Sequence, residues 1–402
     1  MRTIVRFCTA LIATGMLIAF LACMGAINIA DSHAASARRI GHWSQSGHMH
    51  YARQGDTATV LANGGVLVAG GADGTGALPT FAELYNPRTN SWSLTGKMRL
   101  PRMNHIAILL PDGKVLVAGG SNGSGALTSA ELYNPATGLW NLTGSMHVAR
   151  ENFTATLLHN GQVLVAGGDD GHQPFIKALR SAELYNPVTG KWTLTGSMHT
   201  ARFHQTATLL ADNTVLVAGG DDGAGYNPSS GSACLCAQAT ASSELYNPDK
   251  GTWSKTGNLK EARDLFITVT LPGSNGKVLA AGGIACNTTT GSCTVIASAE
   301  IYSNGAWTLT ESMSTARYSF IAASLSAASH DILVAGGLTA GYSDTDSAEI
   351  YNAATGTWSS AANMNIPRDE PTASDLLNGE VLIAGGVNST GALSSAEVFS
   401  LS

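Results

Sequence analysis

A run of apolar residues that ends in a double glycine recurs seven times along the 402-residue chain. The first glycine of each pair follows that of the previous pair by 49, 48, 52, 63, 54 and 49 residues. The pairs are Gly70-Gly71, Gly119-Gly120, Gly167-Gly168, Gly219-Gly220, Gly282-Gly283, Gly336-Gly337 and Gly385-Gly386. Regular self-similarity of this kind is typical of repeat architectures, in which each repeat is one supersecondary unit.

The third repeat shows what one unit contains. Residues 152–159 are rich in β-forming residues and end at Asn160-Gly161, a strong signal for a hairpin turn. The segment QVLVAGG is nearly continuously apolar, which suits a strand buried on both faces. Two more strands, SAELYNP and KWTLTG, are separated by turn residues. Because four short strands cannot bury two faces alone, the units must stack, and radial stacking predicts a β-propeller.

Three other residue types keep their place in each repeat. A glutamate opens the third strand, two residues before an aromatic residue, and a tryptophan lies in the fourth strand. The tryptophans are Trp43, Trp92, Trp140, Trp192, Trp253, Trp307 and Trp358. The glutamates are Glu83, Glu131, Glu183, Glu244, Glu300, Glu349 and Glu397. An arginine follows each tryptophan about ten residues later: Arg53, Arg102, Arg150, Arg202, Arg263, Arg317 and Arg368.

This combination of Arg, double glycine, E-x-Tyr and Trp resembles the kelch repeat and covers residues 43–402. The seventh unit starts at Arg368 and ends after Phe399 without a tryptophan, whereas Trp43 has no unit of its own. The N-terminal segment WSQSGHM therefore supplies the missing fourth strand. We predict an all-β, seven-bladed kelch-type propeller with four antiparallel strands per blade, its last blade closed by the N-terminal strand.

The first 37 residues predict export. Arg2 and Arg6 precede an uncharged stretch, and Ala35-Ser36-Ala37 offers a cleavage site of small residues, as in a secretory signal peptide. The apolar stretch is also long enough to anchor an uncleaved chain. We therefore expect residues 1–37 to be a signal peptide or membrane anchor and residues 38–402 to form a single propeller. The expected location is secreted or at the extracellular cell surface, with membrane contact only through an uncleaved N-terminus.

The composition and charge of the chain limit the classes of partner that are expected. Charged residues make up 12% of the chain, the net charge is −6, and no basic run occurs. Nucleic acid is therefore not an expected partner. We expect a monomer that binds a protein, peptide or carbohydrate on its loop face, without a cofactor.

Four cysteines lie beyond the first 37 residues: Cys234, Cys236, Cys286 and Cys293. An even number in an exported chain predicts disulfides, with three possible pairings. A Cys286–Cys293 bond within one loop is chemically easy. It would leave Cys234 and Cys236 to form a strained ring, which favours pairing between the two loops. The spacing is unusual for zinc.

The seven arginines have two interpretations. Each could pair with a glutamate of its blade as part of the scaffold, which the equal numbers favour. Alternatively, a ring of guanidinium groups at the channel mouth would suit a carboxylate or an acidic partner. His105 and His204 follow two of these arginines and are candidate binding residues on the same face.

The loops after the double glycines differ most between blades, and variable loops on a rigid scaffold carry specificity. The candidates are Asp169, Asp170 and His172 in the third blade and Asp221, Asp222 and Tyr226 in the fourth. The paired aspartates could bind calcium, but polar turn residues explain them better, so no metal site is predicted.

Two enzyme groups with kelch-like folds provide alternatives. The fold pattern is similar to that of the copper-radical oxidases, galactose oxidase and glyoxal oxidase, whose family site implies tyrosines two residues after blade arginines. Those positions here are Gly55, Asn104, Asn152, His204, Leu265, Ser319 and Glu370, so the oxidase motif is missing. Exported sialic-acid mutarotases need a carboxylate and an arginine over the channel, a requirement that many pairs meet. The sequence thus favours a non-enzymatic binding module, with a channel-site enzyme acting on a sugar as the alternative.

Overall fold

The computed structural model describes residues 40–172, 176–223, 238–274, 276–287, 292–325 and 330–401. The predicted signal segment, Tyr226, Cys234 and Cys236 lie outside these residues. Within them every regular element is a β-strand, and no helix is long and apolar enough to cross a membrane. Residues from Ile40 onward form one compact unit.

Seven antiparallel four-stranded sheets form the blades, each running from an innermost first strand to an outermost fourth strand. Strands are numbered in chain order. Blade 1 contains β2 (Gln54–Val60), β3 (Val66–Ala72), β4 (Phe81–Asn86) and β5 (Ser91–Lys97). Blade 2 contains β6 (Ile106–Leu109), β7 (Val115–Ala118), β8 (Ala130–Asn134) and β9 (Leu139–Leu142). Blade 3 contains β10 (Thr154–Leu157), β11 (Val163–Ala166), β12 (Ala182–Asn186) and β13 (Lys191–Leu194).

The remaining blades repeat this order. Blade 4 contains β14 (Thr206–Leu209), β15 (Val215–Ala218), β16 (Ser243–Asn247) and β17 (Thr252–Lys255). Blade 5 contains β18 (Ile267–Thr270), β19 (Val278–Ala281), β22 (Ala299–Ser303) and β23 (Ala306–Leu309). Blade 6 contains β24 (Ile321–Leu325), β25 (Asp331–Ala335), β26 (Ala348–Asn352) and β27 (Thr357–Ser360). Blade 7 contains β28 (Thr372–Asp375), β29 (Val381–Ala384), β32 (Ala396–Ser400) and β1 (His42–Gln45).

The blades pack face to face around a central channel. The first strands of neighbouring blades contact one another round the ring, which closes where β28 meets β2. The second strands are buried along their whole length, as their continuous apolar sequences predict. The core therefore lies between the blades, and every blade depends on two neighbours.

The repeated aromatic residues join one blade to the next. In blade 3 the rings of Tyr185 and Trp192 lie 5.0 Å apart. The Trp192 indole donates a hydrogen bond of 2.7 Å to the Gly144 carbonyl before blade 3, and the Tyr185 hydroxyl lies 2.8 Å from the Thr143 hydroxyl. Both aromatic residues thus bury apolar surface and satisfy their polar atoms across the interface between blades 2 and 3.

The predicted closure is confirmed. Strand β1 pairs with β32 in antiparallel register, with Trp43 opposite Phe399. Their rings lie 5.0 Å apart, and the Trp43 indole donates a hydrogen bond of 2.7 Å to the Ala362 carbonyl of blade 6. The all-β, seven-bladed propeller follows the prediction in blade number, strand number and closing strand.

Two small hairpins project from the blades: β20 (Ile284–Asn287) with β21 (Ser292–Val295), and β30 (Val387–Asn388) with β31 (Gly391–Ala392). Cys286 and Cys293 are opposite each other in the first hairpin and form a disulfide. The structure therefore has the pairing within one loop rather than the pairing between loops that the sequence favoured. Antiparallel pairing places the two cysteines side by side, at a Cα separation of 4.0 Å.

Candidate functional site

The seven repeated arginines lie inside the blades, and each of them is 0% exposed. In blade 3 the guanidinium of Arg150 donates to the carbonyls of Gly167 (2.7 Å) and Ser181 (3.1 Å) and pairs with Glu183 at 3.2 Å. The corresponding ion pairs of all seven blades measure 3.0–3.2 Å. These arginines hold the double-glycine strand and the third strand together and present no guanidinium group to solvent.

The paired glutamates also hold the loop that enters each blade. Glu183 accepts hydrogen bonds from the backbone amides of His147 (2.8 Å) and Val148 (3.0 Å), and the His147 ring lies 2.8 Å from the carboxylate. Burial alone would raise the pKa of Glu183. The hydrogen bonds from His147 and Val148 and the charge of Arg150 outweigh it and lower that pKa below the usual range. Arg, Glu and entry loop thus form one buried unit.

A different set of residues surrounds the channel mouth. It is the set two positions after each arginine, here called the mouth ring: Gly55, Asn104, Asn152, His204, Leu265, Ser319 and Glu370. All seven have φ between 48° and 65°. Asn104, Asn152 and His204 each donate a backbone hydrogen bond to the mouth-ring residue of the preceding blade. Since a left-handed backbone is unfavourable for leucine, glutamate and serine, the ring geometry imposes it.

A cavity of about 350 Å³ opens inside this ring. Its wall also contains residues three positions after the arginines, among them Phe153, Phe266 and Phe320. The polar members at this level are Asp56, His105 and Gln205. The cavity therefore combines three aromatic rings with convergent polar side chains, the composition expected of a small-molecule site.

Several buried polar atoms of the wall have no hydrogen-bond partner. They include both carboxylate oxygens of Asp56, Nδ1 of His105 and Oε1 of Gln205, on residues that are 8%, 6% and 5% exposed, and Nδ1 of His204. Burial raises the pKa of Asp56 to about 7 and, together with Arg102 and Arg53, lowers the pKa of His105 to about 3. Unsatisfied buried polar groups cost stability, and these lie packed between the blades in the layer beside the cavity, with almost no accessible surface.

His204 lies among carboxylates from three neighbouring blades. Its Nδ1 atom is 3.6 Å from the Asp264 carboxylate. Burial alone would lower the pKa of His204, but the charges of Asp264, Asp169 and Asp221 raise it above the usual value. Desolvation in turn raises the pKa of Asp221 to about 7. The pKa values of His204 and Asp221 are thus both raised where the imidazole and the carboxylates adjoin.

The candidate residues predicted from the sequence lie in different places in the structure. His105 and His204 line the cavity, and Asp169 and Asp221 lie buried behind His204, each 1% exposed. Asp170 accepts hydrogen bonds from the backbone of its own loop, and His172 lies beside it in solvent. Among the described residues no three His, Cys, Asp or Glu side chains are arranged to hold a metal ion.

The sequence analysis did not select Asp56, Gln205 or Glu370, although they line the cavity. Their positions within the repeat are the signal that could have identified them. The residues one to three places after each arginine vary between blades, whereas the arginine itself occurs in all seven. In a symmetric scaffold, an inward position that departs from the repeat is a candidate for function.

Asp56 allows a direct test of the cost of this site. The difference between its pKa of about 7 and the ordinary 3.8 corresponds to about 4 kcal/mol of native-state destabilisation at high pH. A folded-state pKa that is raised leaves stability intact below pH 4 and removes it as the pH rises through 7. We therefore expect Asp56→Asn to raise the free energy of unfolding by about 2 kcal/mol at pH 8, because the amide is neutral but still unpaired.

Near pH 4 the Asp56→Asn and wild-type proteins should have nearly equal stability, because Asp56 is then protonated in the folded protein. Denaturant unfolding of both proteins at both pH values measures this difference. All other titrating groups affect the two proteins equally. An equal effect of the substitution at pH 4 and pH 8 would show that Asp56 is not a desolvated carboxyl group.

The Kelch motif family matches the sequence at residues 104–147, 153–199 and 323–365. These segments coincide with blades 2, 3 and 6, and the other four blades repeat their geometry. The chain is a seven-bladed β-propeller with Kelch motifs in three of its blades. No protein with a curated description matches its sequence.

Solved structures support the fold of this kelch propeller. A fungal alcohol oxidase of the AA5 family, solved in complex with copper, superposes with a TM-score of 0.69 over 90% of this chain and 76% of its own, at 18% identity. The protein YjhT superposes with a TM-score of 0.59 over 78% of this chain and 99% of its own, at 14% identity. At these identities the likeness concerns the fold alone.

The described residues of this kelch propeller do not fit a copper-radical centre. The mouth ring contains one histidine and no tyrosine. The residues three positions after the arginines also include one histidine, His105, and no tyrosine. In the same part of the chain no suitable cluster of metal ligands is found. The described residues at the channel mouth therefore do not provide the set of ligands that a copper-radical centre needs.

Proposed function

We propose that this kelch propeller binds a carbohydrate in the cavity at the channel mouth. The observation that carries the proposal is the cavity of about 350 Å³ inside the mouth ring, whose lining combines phenylalanines with the polar residues Asn104, Asn152, His204 and Glu370. A sugar supplies many hydroxyl groups that donate and accept hydrogen bonds.

The size and lining of the cavity support the same ligand class. A volume of about 350 Å³ lies at the small end of the range for ligand sites and suits a sugar unit rather than a folded protein surface. Phe153, Phe266 and Phe320 provide apolar surface for the C–H groups of a pyranose. A peptide or protein partner on the surrounding loops is the broader form of the proposal.

The N-terminal segment complements this proposal. A basic start, an apolar stretch and a small-residue site precede the propeller, which supports export. We therefore place the binding function outside the cell, in a secreted or surface-attached protein.

A glycan array followed by calorimetry with purified residues 38–402 tests the proposal. We expect His204→Asn to weaken binding of the selected glycan about tenfold, since one charge-assisted hydrogen bond contributes that much. Asparagine is the natural residue at this ring position in blades 2 and 3, and it tolerates the left-handed backbone. The matched control is His172→Asn, whose side chain is 80% exposed in a loop.

Loss of binding in the His204 variant alone places the sugar in the cavity. Absence of any glycan ligand, or an equal loss in the His172 control, would contradict the proposal.

Acid–base catalysis on the bound sugar is the second candidate function. It is favoured by His204 and Asp221, whose pKa values are both raised toward neutrality at adjoining positions. Anomeric interconversion of reducing sugars, followed by NMR with the wild-type and His204→Asn proteins, distinguishes it from binding alone. A rate no faster than that of the uncatalysed sugar in both proteins would leave binding as the function.

A further inference from the structure

The imidazole of His204 is held from two sides. Its ring lies 4.8 Å from the ring of Phe203 in an edge-on arrangement. Its Nδ1 atom is buried and lies 3.6 Å from the carboxylate of Asp264 in the next blade. The side chain is nevertheless 29% exposed and lines the cavity. No hydrogen bond joins Nε2 to a described residue, and Nε2 is not among the buried polar atoms without a partner, so it is the accessible nitrogen.

Asp264 is fixed in place by its own hydrogen bonds. Its backbone exchanges two of them, of 2.9 and 2.8 Å, with Ile284 at the start of β20. Its carboxylate accepts a third, of 2.9 Å, from the backbone amide of Leu265, and its side chain is only 5% exposed. A carboxylate held in this way beside Nδ1 favours the form of the imidazole that carries its proton on Nδ1.

The same contact occurs two blades earlier. Asn104 occupies the mouth-ring position of blade 2, and its amide nitrogen lies 3.4 Å from the carboxylate of Glu151. Glu151 follows Arg150 directly, as Asp264 follows Arg263. In both places a nitrogen of the mouth-ring side chain faces the acid at this position of the next blade. Because the contact recurs with a different side chain, the acid orients the mouth-ring residue in both blade pairs.

We propose that Asp264 is a positioning residue: it keeps the imidazole proton of His204 on Nδ1 and thereby directs the lone pair of Nε2 at a ligand hydroxyl in the cavity. This inference rests on the proposed function and identifies the atom of His204 that meets the sugar. A neutral imidazole has one donor nitrogen and one acceptor nitrogen, so a proton fixed on Nδ1 leaves Nε2 as the acceptor. The proton that His204 gains and loses with pH is then the one on Nε2.

Carboxyl groups from several blades face His204. They belong to Asp264, Asp169, Asp221, Glu151 and Glu370. Burial lowers the pKa of His204, and the charge of Asp264 is the strongest of the influences that raise it above the usual value. Among the described carboxylates only that of Asp264 lies within 4.0 Å of an imidazole nitrogen of His204. The other acids therefore affect the pKa of His204, whereas Asp264 also decides which nitrogen carries the proton.

Protein labelled with ¹⁵N-histidine tests the proposal without a ligand. Long-range ¹H–¹⁵N spectra at a pH well above the pKa of His204 show which nitrogen of the neutral ring is protonated, and the His204→Asn spectrum assigns the signals. We expect a protonated Nδ1 and an unprotonated Nε2 in the wild-type protein. In Asp264→Asn the form protonated on Nε2 should appear in a comparable amount. The pKa of His204 should also fall by about 1, because a neighbouring negative charge is lost.

Asp221→Asn separates the position of a carboxylate from its charge. Asp221 is 1% exposed, and its charge also raises the pKa of His204. This variant should lower that pKa but leave the proton of the neutral ring on Nδ1. The matched control is Asp170→Asn, which removes a carboxylate that lies 3.3 Å from the His172 ring. It should change neither the pKa of His204 nor the protonated nitrogen.

A double-mutant cycle with the glycan selected on the array measures whether Asp264 acts through His204. We expect Asp264→Asn to weaken binding about fivefold in the wild-type protein and less than about twofold in the His204→Asn protein. Circular dichroism and melting curves confirm that all variants are folded.

A wild-type ring that carries its proton on Nε2, or a protonated nitrogen that stays the same in Asp264→Asn, would overturn the proposal. So would a loss of affinity in Asp264→Asn that is equally large without His204, since that loss would not pass through the imidazole. An empty glycan array would refute the proposed function alone, and the spectra, which need no ligand, would still decide the role of Asp264.

Discussion

Deletion of Trp43–His48 is expected to lower the melting temperature of the propeller by about 8 °C or more. The deletion removes most of β1, the outer strand of blade 7, and exposes β32 as a new sheet edge. It also removes Trp43, which packs on Phe399 and hydrogen-bonds to blade 6. Loss of a packed tryptophan alone costs about 3–5 kcal/mol, and the lost strand pairing adds to that cost.

The matched control replaces His42, Ser44 and Gln45 by alanine. These three side chains are exposed, so the substitutions keep the strand backbone and Trp43 in place. We expect the control to melt within about 2 °C of the parent, because surface substitutions usually change stability by less than 0.5 kcal/mol. Differential scanning calorimetry of both variants makes the comparison. Equal melting temperatures for the deletion and the parent would show that β1 does not close the ring.

Arg150→Met is expected to destabilise the propeller by about 3–5 kcal/mol, the cost of removing one partner of a buried ion pair. Methionine has a similar length but leaves the Gly167 and Ser181 carbonyls without the Arg150 donors. It also leaves the Glu183 carboxylate buried without its arginine partner. Denaturant unfolding at pH 7 measures the loss.

Two further variants identify the cause. Arg150→Met/Glu183→Gln should recover part of the loss, since no unpaired charge then remains in the blade. Arg180→Met removes an exposed arginine from the same blade and should have little effect. If Arg150→Met were as stable as Arg180→Met, the buried arginine layer would have no structural role, and a binding role for the arginines would regain support.

The residues changed in these two tests, Trp43 and Arg150, were both identified from the sequence. Trp43 and Arg150 belong to a pattern that recurs in every blade. Seven copies of one local pattern reveal strand order, blade number and the origin of the closing strand, because each blade uses the same contacts. The preference for an Arg–Glu scaffold also follows from the equal counts of the two residues.

The residues of the candidate site do not belong to a repeated pattern. Asp56, Gln205 and Glu370 lie in three blades, separated by about 150 residues or more along the chain, and their neighbours in the repeat are unlike them. Nothing local indicates that these positions line a cavity, since the arginine two or three residues before each of them is completely buried. The sequence analysis considered a ring of guanidinium groups at the mouth, whereas the structure buries the arginines and lines the mouth with residues that include His204 and Glu370.

The sequence alone therefore determined the repeat, the strand content, the seven blades and the closure by Trp43, because short-range periodicity encodes how each blade is built. The tertiary structure decided which side of each repeat faces the channel, which cysteines pair, and which acids lie beside His204. Those properties depend on distances between residues remote in sequence and on how far each group is removed from water. Burial and neighbouring charges shift the pKa of Asp56 and Asp221 to about 7, and both arise only when the ring has closed.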